Sequence, residues 1–125
     1  MENKRWFQEK MDEVDELYRY IGQVFIEYLD EMGYRAENWI FLTWENLDNH
    51  ITITARHTKD TEDDVFWLNM EYFYEDNMER RRNMMKDEYA KKQEKERLEK
   101  ERKEQERLEQ KRRQFHKLKQ ELGEE

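Results

Sequence analysis

The chain has 125 residues, of which 45% are charged and 35% hydrophobic, and its net charge is −8. This length suits one domain, but the hydrophobic fraction lies below the roughly 45–50% of an average globular domain. The absence of cysteine excludes disulfides and thiolate metal sites and fits a cytoplasmic protein, and we expect neither a signal peptide nor a membrane-spanning segment.

Charge and aromatic residues divide the chain into two parts. Residues 1–76 contain 19 acidic and 7 basic residues, a net charge of −12, whereas residues 77–125 contain 13 acidic and 17 basic residues, a net charge of +4. Of the 17 aromatic residues, all but Phe115 precede residue 90. We therefore predict a compact acidic domain over residues 1–76 and a long charged helix over residues 77–125, a charge asymmetry typical of interaction proteins.

The first predicted element is a helix over residues 3–32. Its apolar residues recur at alternating steps of four and three, which is the spacing of one helix face. They are Phe7, Met11, Val14, Tyr18, Ile21, Phe25, Tyr28 and Met32. Gly33 follows at the position of a left-handed C-terminal cap, so we expect the helix to end there.

Three strand-like runs follow the helix. Residues 39–45 are apolar and aromatic, residues 50–57 alternate between apolar and polar, and residues 65–74 are rich in β-branched and aromatic residues. The connections between them are short, so the three strands are predicted to form an antiparallel meander. The predicted fold class is α+β, with an N-terminal helix packed on this meander and one long charged C-terminal helix after it.

Strict alternation assigns each strand residue to one face of the sheet. The face under the first helix would hold Ile40, Leu42, Trp44, Ile51, Ile53, Ala55, Phe66, Leu68, Met70 and Tyr72. The outer face would then carry an aromatic patch of Trp39, Phe41, Trp67 and Phe73, which is larger than a monomer usually exposes. Two interpretations stay open: the start of the last helix covers the patch, or the patch binds a second copy or a partner.

The last predicted helix begins after Asp76 or Asn77, either of which can cap it. No proline or glycine interrupts residues 76–122, and acid–base pairs four residues apart, such as Glu99–Lys103, support the helix. Its first turns, with Met78 and Met85, are expected to pack on the domain. Leu108, Phe115 and Leu122 keep a seven-residue step, which leaves weak homo-oligomerisation through a coiled coil open.

The residue types that catalysis and metal binding need are scarce. The chain contains no serine and no glycine-rich loop, so neither an activated serine nor a phosphate cradle is available. His50 and His57 would face opposite sides of one strand. We therefore predict no catalytic residue, no metal and no cofactor, and we do not expect an enzyme.

Acidic residues form the predicted partner-binding surface. Seven lie on the expected solvent face of the first helix, namely Glu9, Asp12, Glu13, Glu16, Glu27, Asp30 and Glu31, and four lie after the second strand, namely Asp60, Glu62, Asp63 and Asp64. Carboxylates four residues apart are separated by about 6 Å of helix rise, a spacing suited to a groove that binds a phosphate backbone. An ordinary solvated helix face is the alternative interpretation.

These features favour a non-catalytic inhibitor or modulator whose acidic surface engages the basic cleft of a nucleic-acid-handling enzyme, such as a nuclease. In type, the chain is similar to phage and mobile-element inhibitors of restriction or CRISPR nucleases, although no residue-level motif carries this analogy. Nucleic acid itself is not expected to bind the acidic domain. The first alternative is a structural adaptor that oligomerises or spaces partners through its C-terminal helix, and the second is weak RNA binding through the basic residues of that helix.

Overall fold

The computed structural model describes residues 2–123 and confirms the predicted α+β fold. The elements are α1 (Glu2–Glu31), a 3-10 turn (Ala36–Asn38), β1 (Trp39–Asn46), β2 (His50–His57), β3 (Asp63–Asn69), α2 (Met70–Tyr74) and α3 (Met78–Glu121). The three strands form one antiparallel sheet in the order β1-β2-β3. The chain divides into two compact units, residues 1–87 and 88–125, and the sequence-based boundary at residues 76 and 77 stays a prediction.

Helix ends follow the local signals in the sequence. Gly33 has a φ of 85°, and the N–H of Tyr34 donates to the carbonyl of Leu29 at 2.8 Å, which closes α1 with a left-handed cap. At the start of α3, the side chain of Asn77 accepts a hydrogen bond from the N–H of Arg80 at 3.0 Å. Both boundaries were therefore predictable from residue type alone.

The first half of β1 presents the opposite face from the one that alternation predicts, whereas Trp44 lies on the predicted face. Trp39 and Phe41 pack against the core, whereas Ile40 and Leu42 are exposed. The register shifts after Phe41, and Trp44 also packs against the core. Uninterrupted alternation would place Phe41 and Trp44 on opposite faces, so the bulge is what allows both rings to pack against the core.

The third predicted strand stops early and continues as a helix. Asn69 is the last residue of β3, and its side chain caps α2 by accepting a backbone hydrogen bond. The reason is register: His50, the first residue of β2, pairs with Asn69, so residues after Asn69 have no strand to pair with. Met70 and Tyr72 are buried as predicted, but from a helix, and Phe73 does not lie on the outer sheet face.

The second half of α1 is buried on two sides. On the sheet side, the ring of Phe25 lies 6.0 Å from that of Phe41. On the opposite side, Glu27 binds Arg81 from the first turn of α3, and Met85 in the next turn is fully buried. The start of α3 thus packs on α1, and the interpretation in which it covers the outer sheet face is wrong.

Residues 88–121 of α3 form a charged helix with ion pairs along its surface. The pairs described there are Glu94–Arg97, Arg97–Glu101, Glu99–Lys103, Arg102–Glu106 and Glu104–Arg107. The hydrogen bond from Arg97 lowers the pKa of Glu94, and the hydrogen bond from Arg107 lowers the pKa of Glu104. Within residues 2–123, no helix is both long enough and apolar enough to cross a membrane.

These pKa shifts predict that the helix loses stability in acid. The usual pKa of a glutamate is 4.5, and in the folded helix the pKa values of Glu94 and Glu104 are lowered. The stabilisation of the helix by these two carboxylates is therefore present above pH 4.5 and is lost as the pH falls through their lowered pKa values. We expect a peptide of residues 88–123 to lose helicity, measured by far-UV circular dichroism, between pH 5 and pH 2. A peptide with Glu94→Gln and Glu104→Gln should show a smaller change, and equal helicity of the parent peptide at pH 7 and pH 2 would contradict the prediction.

Candidate protein-binding surfaces

The first half of α1 carries an exposed acidic ridge. The ridge consists of Glu9, Asp12, Glu13 and Glu16, all of them exposed. Nε of Arg5 lies 3.4 Å from Oε1 of Glu9, and Nζ of Lys10 lies 3.2 Å from Oε2 of Glu13. The side chains of Glu9 and Glu13 nevertheless remain 62% and 65% exposed. These contacts lie within one helix and at its surface, where ion pairs contribute little, so the ridge remains available to a partner.

Glu27 does not lie on the solvent face, contrary to the sequence prediction. Its side chain is 1% exposed, and its two carboxylate oxygens accept hydrogen bonds from Nε and Nη2 of Arg81 at 2.7 and 2.8 Å. Arg81 also donates through Nη1 to the carbonyl of Glu75 at 2.8 Å and lies 5.7 Å from the ring centroid of Tyr20. The bond to Glu27 raises the pKa of the Arg81 guanidinium, and burial removes Glu27 from any partner-binding surface.

The last two acidic residues of α1 are also engaged by α3. Nε of Arg82 donates to Glu31 at 2.8 Å, and its Nη2 lies 3.6 Å from Asp30. Asp30 remains exposed, while Glu31 is partly buried. One signal in the sequence indicates this contact. Glu27 and Glu31 lie four residues apart on one side of α1, and the adjacent residues Arg81 and Arg82 at the start of α3 supply one arginine for each of them.

The acidic loop after β2 is a separate surface from the ridge. Of its four predicted residues, Asp60 and Glu62 lie in the loop, whereas Asp63 and Asp64 begin β3. All four are exposed, and Oδ1 of Asp63 lies 2.7 Å from Nε of Arg56. The loop adjoins the end of the sheet at which Trp39 pairs with His57. That end contacts Tyr34, just after α1, whereas the ridge occupies the first half of α1. The structure therefore does not bring the two acidic groups together.

The predicted aromatic patch is not formed. Trp39, Phe41 and Phe73 pack against the core, and only Trp67 remains on the outer sheet face, where it is 62% exposed. Its ring stacks on His50 at a centroid distance of 4.3 Å. The exposed apolar neighbours on this face are Ile40, Leu42 and Val65, so the outer face is apolar through a different set of residues from the predicted one.

The first half of α1 also exposes an apolar stripe. The stripe consists of Phe7, Met11, Val14 and Tyr18, flanked by Trp6 and Leu17, and the six side chains are 43–60% exposed. At about 100° of rotation per residue, Phe7 and Glu9 lie about 200° apart around the helix. The stripe and most of the ridge therefore lie on opposite sides of the same helix, whereas Glu13 borders the flanking residue Leu17, four positions after it.

The ridge and the stripe place charged and apolar side chains on one exposed stretch of α1. Large exposed apolar side chains beside charged residues are typical of interaction sites.

Within the described part of the chain, no group of three or more histidine, aspartate and glutamate side chains is placed to hold a metal ion. Comparison of the chain with protein-family models, with curated proteins and with solved structures found no match.

Proposed function

We propose that the protein is a non-catalytic modulator or inhibitor that binds a partner protein through the acidic ridge of α1. The partner would present a basic cleft, such as the nucleic-acid-binding cleft of a nuclease. The single observation that carries the proposal is the position of the ridge: four carboxylates lie exposed on a helical arm that extends beyond the buried core. The analogy to counter-defence inhibitors of phages and mobile elements belongs to this proposal.

Electrostatics supports a basic partner. The net charge of residues 1–76 is −12, and two of the few nearby bases, Arg81 and Arg82, are engaged by acids of α1. Ridge carboxylates that are three or four residues apart are separated by about 4.5–6 Å of helix rise. A cleft that binds phosphate groups through lysine and arginine would also attract the ridge carboxylates, because both groups are negatively charged. This long-range attraction would accelerate association of the two proteins.

The test reverses the ridge and compares the result with an equal charge change elsewhere. The unchanged 125-residue chain is used to capture partners from a lysate of the source cell, beside the variant Glu9→Lys/Glu13→Lys/Glu16→Lys and the control Glu99→Lys/Glu106→Lys/Glu109→Lys. We expect the captured partner to bind the ridge variant at least about tenfold more weakly, equivalent to about 1.4 kcal/mol, and to bind the control like the unchanged protein. Binding should also weaken as salt is added.

Two outcomes would count against the ridge. Equal capture by the ridge variant and the unchanged protein would exclude the ridge as the site. Equal loss in both variants would mean that the partner responds to overall charge and not to this surface. Circular dichroism of each variant verifies that it is folded. We expect both variants to fold, because each like-charge pair created on a helix surface costs only about 0.2–0.5 kcal/mol.

A second candidate function is an adaptor that uses the helix of residues 88–121 as a stalk. The observation that favours it is a row of exposed apolar residues at seven-residue steps, Leu108, Phe115 and Leu122. Deletion of residues 91–125 separates the two candidates: binding that survives the deletion supports the ridge, and binding that is lost supports the stalk.

A further inference from the structure

The last turns of α3 depart from the balanced charges that precede them. Residues 88–106 carry seven bases and seven acids, whereas residues 107–122, the basic segment, carry six bases and two acids. Four apolar side chains of this segment are 44–73% exposed, namely Leu108, Phe115, Leu118 and Leu122. The helical turn extends to the last of them, because the N–H of Leu122 donates to the carbonyl of Leu118 at 3.0 Å.

Helical geometry separates the acids of the basic segment from its apolar side chains. At about 100° per residue, the four apolar side chains fall within about 80° of one another around the helix axis. The half of the helix surface centred on them also carries four bases and no acid; the bases are Arg107, Lys111, Arg112 and Lys119. Glu109 and Glu121 fall on the opposite half, where Arg113 and Lys117 balance them. Residues 124 and 125, both acidic, lie outside the described part of the chain.

We propose that the basic, apolar half of this segment binds the surface of an anionic lipid bilayer, with the helix lying along the interface. Helices that bind there combine an apolar stripe with lysine and arginine, and their binding grows with buried apolar area and with attraction to anionic lipids. Phe115 and the leucines enter the boundary between headgroups and acyl chains, and the bases beside them reach the lipid phosphates.

The charge of the whole chain does not oppose this contact. Its net charge is −8, but the balanced residues 88–106 supply about 28 Å of helix rise before the basic segment begins. That length exceeds the Debye length of about 8 Å at physiological ionic strength, so the local positive charge acts on the bilayer. The inference does not rest on the acidic ridge, and it gives the apolar row of the proposed stalk a lipid surface to bind.

Lys111 distinguishes a bilayer from a protein groove or a second copy. Around the helix axis it lies between Leu118 and Leu122, so whatever covers the apolar side chains also covers this lysine. In a protein groove the ammonium group would lose its hydration, which is costly unless a carboxylate faces it. A second copy would place lysine beside lysine. At a bilayer, the lysine stem lies along apolar surface while the ammonium group stays at the headgroups.

Nucleic acid fits the same half less well. Its phosphates would attract the bases, but they would leave the leucine side chains exposed to water. Phe115 is the only phenylalanine, tyrosine or tryptophan of the basic segment, so stacking on successive nucleic-acid bases is not supported.

Flotation with lipid vesicles tests the proposal on the 125-residue chain. The vesicles contain phosphatidylcholine alone, or phosphatidylcholine with about 30% phosphatidylserine, whose charge gives the surface a negative potential. We expect binding to the anionic vesicles only, and weaker binding as salt is added.

A pair of charge variants assigns the binding to this half of the helix. The variant Lys111→Gln/Arg112→Gln/Lys119→Gln should bind anionic vesicles at least about tenfold more weakly, because each base near the surface strengthens binding severalfold. The matched control Lys91→Gln/Lys92→Gln/Lys95→Gln removes the same charge from residues 88–106 and should bind like the unchanged chain.

A second pair tests the apolar contribution. Phe115→Gln/Leu118→Gln leaves every charge in place and should also weaken binding, because less apolar surface enters the interface. Its control Phe7→Gln/Val14→Gln changes side chains of α1 that are similarly exposed, 59% and 57%, and should leave binding unchanged.

An environment-sensitive fluorophore reports which side of the helix meets the lipid. The chain has no cysteine, so Phe115→Cys or Gln120→Cys carries a single label, and the two positions lie about 140° apart around the axis. On anionic vesicles, the emission of the label at position 115 should shift to shorter wavelength, and that of the label at position 120 should not.

Several results would overturn the proposal. They are an unchanged chain that does not bind anionic vesicles, equal binding to neutral vesicles, equal binding by a variant and its control, and labels that respond alike. Binding of single-stranded RNA without binding of vesicles would assign the segment to nucleic acid instead. Circular dichroism of each variant verifies that it is folded, as expected for changes at exposed positions.

Discussion

Replacing Glu27 with alanine is expected to lower the free energy of unfolding by about 3–5 kcal/mol. The substitution leaves the guanidinium of Arg81 buried at 5% exposure without the carboxylate that binds two of its nitrogens. An uncompensated buried charge costs far more than the net stabilisation of the intact pair. Arginine is effectively always protonated in the neutral range, even without Glu27, so the loss should persist from pH 6 to pH 8.

Two further variants make this prediction specific. Glu31→Ala removes a carboxylate from the same helix, but its partner Arg82 is 33% exposed, so solvent screening should limit the loss to about 1 kcal/mol. The double variant Glu27→Leu/Arg81→Met replaces the pair with apolar side chains and should recover most of the stability. Urea unfolding monitored by tryptophan fluorescence measures all three. A loss below 1 kcal/mol for Glu27→Ala would mean that water reaches Arg81.

Replacing Phe41 with alanine is expected to cost about 2–3 kcal/mol, less than the 3–5 kcal/mol of a fully buried phenylalanine. Phe41 is partly buried, and its ring contacts Tyr18 and Phe25 of α1 at centroid distances of 4.9 and 6.0 Å. The substitution therefore removes contacts between α1 and the sheet on which the core depends.

The adjacent residue is the control for Phe41. Leu42 is exposed, so Leu42→Ala should change the free energy of unfolding by no more than about 0.5 kcal/mol. Thermal and urea unfolding of the two variants, measured side by side, distinguish the observed strand from one with strict alternation. If Leu42→Ala were the more destabilising change, β1 would face the other way and the bulge after Phe41 would not exist.

Local chemistry explains which features were predictable. The left-handed position at Gly33 and the cap at Asn77 depend on residues within a few positions of each boundary, and such signals are visible in a linear sequence. The alternation of β2 is likewise regular, with Ile51, Ile53 and Ala55 all buried. Helix, strand and turn were therefore identified wherever short-range periodicity determines them.

The acidic surface shows where the same reasoning fails. Periodicity places Glu13 and Glu27 on similar faces of α1, because the two residues are separated by 14 positions, close to four full turns. Glu13 is exposed and Glu27 is buried, since α3 returns to α1 only at its second half. Helical periodicity identifies a face but does not reveal which part of that face another element will cover.

The sequence by itself determined the α+β order of elements, the caps and the separation of an aromatic part from a charged helix. The tertiary structure decided the facing of β1, the change from strand to helix after Asn69 and the burial of Glu27. Each of these three depends on a contact between residues far apart in the chain: Phe41 with Phe25, Asn69 with His50, and Glu27 with Arg81. Such contacts outweigh local preference because burial of an aromatic ring or of an ion pair involves several kcal/mol, whereas strand propensity spans only about 1 kcal/mol.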